Sequence, residues 1–98
     1  MALSDVQYRA IQDLGALNGV ALHCKYLDQT RKMKKALILA LPKRRVLGQA
    51  FELATNDAFL EFIENEDECP GSADFTARVD RQIITLQEAF SAGKTTAE

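Results

Sequence analysis

The amino-acid sequence predicts an all-α protein, a compact four-helix bundle with mostly antiparallel neighbours. Apolar residues recur at every third or fourth position through four stretches of the chain. Capping residues, Pro42 or the Pro70-Gly71 pair separate these stretches. No segment alternates apolar and polar residues with the period of two that a half-buried strand requires. The 98 residues form one domain, and 47% hydrophobic with 27% charged residues is a globular rather than a disordered composition.

The first helix is expected over residues 5–26, with Ser4 or Asp5 as its cap. Val6, Ala10, Leu14, Leu17, Ala21 and Cys24 make its apolar stripe, with Ile11 and Leu22 at the edges. Gly15 and Gly19 sit four apart inside that pattern. Each costs a helix about 1 kcal/mol relative to alanine, so their expected role is to admit close approach of a neighbouring helix.

Asp28 or Thr30 is the expected cap of a second helix over 30–41, whose stripe is Met33, Ala36, Leu37, Ala40 and Leu41. Pro42 ends it, because the residue before a proline resists helical geometry. Pro42 also suits the first turn of a third helix over 43–64. Its apolar residues are Val46, Leu47, Ala50, Phe51, Ala54, Ala58, Phe59, Phe62 and Ile63. Thr55, Asn56 and Asp57 favour caps over helix interiors, so a kink or restart is expected near them. Phe51, Phe59 and Phe62 crowd one helix, and an aromatic at the stripe's edge would give an exposed anchor for a partner.

The loop "NEDECPGS" leads to a fourth helix over 73–91, with Ser72 as cap and Asp74 in the first turn. Phe75, Val79, Ile83, Leu86 and Phe90 form its stripe, and residues 92–98 are expected to be a frayed tail.

Cys24 and Cys69 admit two readings. In one, both are reduced, Cys24 buried as a small hydrophobe and Cys69 exposed. In the other they form a disulfide across 45 residues, clipping the first helix to the entrance of the last. Redox catalysis is disfavoured: there is no C-x-x-C, and the acids "ENEDE" beside Cys69 oppose a thiolate.

The sequence offers no catalytic or metal constellation. His23 is the sole histidine, and adjacent helical residues such as His23 and Cys24 point about 100° apart, so they do not converge on one ion. Ser4, Ser72 and Ser91 fall at helix ends, where capping accounts for them. No Gly-rich phosphate loop follows a strand. The expectation is therefore a non-enzymatic protein without metal or cofactor.

Charge is segregated along the chain. Residues 25–45 hold eight Lys or Arg against one acid, whereas residues 46–74 hold eight acids and no base. Arg31, Lys32, Lys35, Lys43, Arg44 and Arg45 are the candidate partner-binding residues. The last three lie at a helix N-terminus, where cations meet the dipole unfavourably. If the second and third helices pack antiparallel, Arg31 to Lys35 and Lys43 to Arg45 fall at opposite ends of the pair. Opposite patches can steer association with a protein partner, or with another copy of the chain head to tail.

The alternative is a small DNA- or RNA-associated regulator using the 31–45 segment. Neither Tyr8 nor Tyr26 interleaves with the basic run, and the acids of 57–68 would repel phosphate on a shared face. The longest apolar run, residues 36–41, is far short of the roughly 20 needed to span a membrane. Asp5, Arg9 and Asp13 interrupt the region a signal peptide would occupy. Two locations remain open: cytoplasmic as written, or periplasmic or secreted if the disulfide forms and a leader was removed. No segment carries a family motif, although the chain is similar in character to small bacterial helical accessory proteins.

Overall fold

A computed structural model of the protein describes residues 3–96, with side chains over residues 3–91. It contains α1 (Asp5–His23), α2 (Leu27–Ala40), α3 (Arg45–Glu64) and α4 (Ser72–Thr96), and no strand among the described residues. The helices pack into an all-α bundle 46 Å long and 24 by 19 Å across. No helix among the described residues is long and apolar enough to cross a membrane.

Helix directions follow from the residues that meet. α1 and α3 run parallel, because Gly15 lies against Ala54, Gly19 against Ala58, and His23 against Phe59 and Phe62. α2 and α4 are also parallel, with Gln29 donating to the Thr76 hydroxyl and Lys32 paired with Asp80. α4 is antiparallel to α1: Gln7 near the start of α1 donates to the carbonyl of Ala89 near the end of α4. The chain therefore reverses direction at each connection. Among the described residues the backbone of α1 comes close to all three other helices, those of α2 and α4 come close to each other, and that of α3 comes close only to α1.

The two glycines explain why α1 and α3 hold the largest helix pairing. A Cβ on Gly15 would lie 2.7 Å from the Ala54 Cβ and 2.8 Å from the Phe51 carbonyl oxygen. One on Gly19 would lie 2.6 Å from the Thr55 carbonyl oxygen. Only glycine permits that approach. Between them Asn18, 1% exposed, donates to the Thr55 hydroxyl at 3.2 Å, and that hydroxyl donates to the Phe51 carbonyl at 2.9 Å. The anticipated break at Thr55 to Asp57 does not occur. Thr55 is tolerated inside α3 because its hydroxyl is used between helices, while Asn56 and Asp57 face solvent.

The core consists of Ala10, Ile11, Leu14 and Ala21 from α1, Met33 and Ala40 from α2, Leu47, Ala50 and Phe51 from α3, and Phe75, Val79, Leu86 and Phe90 from α4. Several stripe assignments shift. Val6, Val46 and Ile63 are exposed, and Cys24 is half-buried.

Local signals set most helix ends. Ser4 caps α1 in a reciprocal pair with Gln7: the Gln7 amide donates to the Ser4 hydroxyl, and the Ser4 amide donates to the Gln7 side chain. Leu41 is extended, as a residue before Pro42 should be, and ends α2. Three expected helix starts move. Tyr26 rather than Asp28 or Thr30 precedes α2, leaving Asp28 in the first turn, favourable for the dipole. α3 begins at Arg45 after the extended Arg44, so Pro42 lies in the linker, where its carbonyl accepts the Arg44 amide. The Phe75 amide donates to the Gly71 carbonyl, which puts Gly71 at the cap and Ser72 inside α4. α4 continues through 92–96 rather than ending at 91, and residues 97–98 lie outside the described residues.

α1 and α3 end in the same way. The Tyr26 amide donates to Ala21 and the Asp67 amide to Phe62, with Lys25 and Glu66 left-handed at φ 62° and 52°. Glycine is the usual residue at that position, because a Cβ there meets the following carbonyl. Lys25→Gly is therefore expected to raise stability by about 1 kcal/mol, read as a higher urea midpoint. An unchanged or lower midpoint would count against strain at Lys25.

The α3–α4 loop is fastened at one end of the bundle. The Cys24 and Cys69 sulfurs lie at disulfide distance, 2.06 Å, with their Cα atoms 5.8 Å apart. Beside them the Tyr26 hydroxyl donates to the Pro70 carbonyl at 2.6 Å, and its ring packs on Phe75.

Candidate functional site

The basic residues singled out from the sequence do not form one patch. Arg31 pairs with Asp28 one turn earlier, and Lys32 Nζ lies 2.7 Å from Asp80 on α4. Lys35 borders a shallow apolar groove with Leu39 and Ile84. Arg31 and Lys32 lie in the half of α2 nearer the cysteines, and Lys35 just past its middle. Lys43, Arg44 and Arg45 lie beyond the far end of a 14-residue helix, about 21 Å in length. The division arises from the length of α2; the backbones of α2 and α3 do not come close to each other among the described residues.

The second group belongs to a more distinctive surface. α3 buries Leu47, Ala50, Phe51, Thr55 and Phe62 on one side. On the opposite side Val46, Leu53 and Leu60 recur every seven residues, and Gln49, Asn56 and Ile63 follow each by three. All six are exposed, Leu53 at 63% and Leu60 at 59%. Recurrence at alternating steps of three and four is the pattern of a helix that packs along a second helix. α3 is thus apolar on two opposite faces, and one of them meets solvent. At its N-terminal end this seam joins a groove bordered by Leu3, Tyr8, Arg44 and Val46.

Charge changes sign along the same helix. Lys43, Arg44 and Arg45 stand at its start, and Glu61, Glu64, Glu66, Asp67 and Glu68 at and beyond its end. α1, α2 and α4 each place an acid in the first turn; α3 has none there and no base in its last turn. Both ends of α3 therefore carry the charge that its own dipole disfavours.

Leu53 and Leu60 belong to none of the core stripes expected from the sequence. Their seven-residue spacing from Val46 is the signal that finds them. The large exposed side chains of α3 are aliphatic rather than aromatic, since Phe51 and Phe62 are buried. Phe59 is half-buried, its ring 5.6 Å from that of His23. His23 itself sits between Phe59 and Phe62, and among the described residues no three His, Cys, Asp or Glu side chains group as metal ligands.

Comparison with protein-family models, curated proteins and solved structures finds no match to the chain.

Proposed function

We propose that the protein is a non-enzymatic interaction module that binds a protein partner along the outer face of α3. The observation behind this reading is the second apolar face of that helix. A helix held by one neighbour needs only one apolar stripe, and a row of exposed aliphatic residues at helix-pairing spacing suits recognition by a partner. Lys43, Arg44 and Arg45 at one end would orient an acidic segment of the partner and hasten its arrival. The cysteine pair fits a small domain working in an oxidising compartment, where such a clip persists.

The test compares the wild type with Leu53→Glu/Leu60→Glu and with Lys43→Glu/Arg44→Glu/Arg45→Glu as baits for a partner. All five positions are exposed, so the fold should survive. Each variant is expected to weaken binding by about tenfold or more, equivalent to about 1.4 kcal/mol. Undiminished binding by both variants sinks the reading. Salt-sensitive binding to duplex or single-stranded DNA that disappears in the triple variant overturns it in favour of nucleic acid.

A further inference from the structure

We infer that the partner along α3 is a second copy of this chain, docked antiparallel about a two-fold axis, an inference that rests on the interaction reading above. Three features of α3 select that occupant. The seam of Val46, Leu53, Leu60 and Ile63 runs the length of the helix and can face its own image, as an isologous interface requires. The charges at the two ends are opposite: a two-fold rotation sets Lys43, Arg44 and Arg45 of one copy against Glu61, Glu64 and Glu66 of the other, and does so twice. The same rotation opposes the two helix dipoles, so each misplaced terminal charge gains a favourable neighbour. A parallel pairing would instead put base on base and acid on acid.

The rotation places the axis between Leu53 and Asn56, near the middle of the seam. Glu52 and Asp57 flank it, so like charges approach one another there. An interface about one 20-residue helix long, roughly 30 Å, is small. Together these place the dimer in the micromolar range rather than among obligate dimers.

Sedimentation over a micromolar-to-millimolar concentration series, without reductant, tests the inference. The wild type is expected to dimerise, and added salt should weaken the dimer because its ends are held by charge. Leu53→Glu/Leu60→Glu, Lys43→Glu/Arg44→Glu/Arg45→Glu and Glu61→Lys/Glu64→Lys should each stay monomeric to at least about tenfold higher concentration. Mixing the two charge-reversed variants should restore association, since each then offers what the other lacks. The wild-type salt series needs no variant, and far-UV circular dichroism checks that each variant remains helical.

A wild type that stays monomeric overturns the inference, as does a dimer indifferent to Leu53→Glu/Leu60→Glu or a mixture that fails to reassociate. A monomer whose binding to a different protein is lost in Leu53→Glu/Leu60→Glu overturns the second copy while leaving the interaction reading in place. A monomer whose foreign binding is unaffected by that variant removes both.

Discussion

Gly19→Ala is expected to destabilise the protein by about 2 kcal/mol, although alanine is the better helix former. The added Cβ would lie 2.6 Å from the Thr55 carbonyl oxygen and 2.8 Å from both the Ala58 Cβ and the Phe59 nitrogen. Two of these atoms are α3 backbone, so relief requires the helices to separate. Overpacking of this kind costs about 3 kcal/mol at its upper end, and the gain in helix propensity offsets about 1. At this chain length the loss corresponds to about 10 °C in melting temperature. Gly48 supplies the control, for nothing among the described residues lies within 4 Å of its added Cβ. Gly48→Ala should therefore stabilise by up to about 1 kcal/mol. Thermal and urea unfolding of the two variants measures both effects. If they move stability in the same direction, close packing is not the reason glycine occupies position 19.

Reduction should have a still larger effect. Joining Cys24 to Cys69 closes 45 residues of chain, which on the chain-entropy estimate contributes about 4 kcal/mol. Domains of this kind have total stabilities of about 5–15 kcal/mol. Reductant, or Cys24→Ser/Cys69→Ser, should sharply lower the urea midpoint, and reductant should have no further effect on the double variant. Intact mass should rise by two hydrogens on reduction of the wild type. An unchanged midpoint with no change in mass would mean that the two sulfurs are not joined; an unchanged midpoint with the change in mass would mean that the cross-link does not restrict the unfolded chain as that estimate requires.

What could be read from the sequence divides by the range of the interactions. Ser4, Leu41 before Pro42, and Asp74 act within a turn or two of the backbone, and their roles are visible in the order of residues. So is the close approach at Gly15 and Gly19, because a glycine pair inside a good apolar stripe only weakens the helix unless a neighbour needs the room. Thr55 misleads for the opposite reason: its place in α3 depends on Asn18, 37 residues away, which local propensity cannot register. Val46 and Ile63 fit a core stripe by spacing alone, and nothing local reveals that, among the described residues, the backbone of α3 comes close only to that of α1. The basic run between Lys25 and Arg45 likewise looks continuous until α2 sets its two halves apart.

Asn18 has a consequence beyond its one bond. α3 presents Ala50, Ala54 and Ala58 as a ladder of small rungs, so Gly15 and Gly19 could slide one turn and still meet an alanine each. After such a slip the Asn18 amide would stand opposite Phe51 and lose the Thr55 hydroxyl. A buried amide whose oxygen finds no partner among the described residues thus serves as a notch, choosing one alignment from several of similar density. An oily substitute there would remove that choice and leave several offsets to compete.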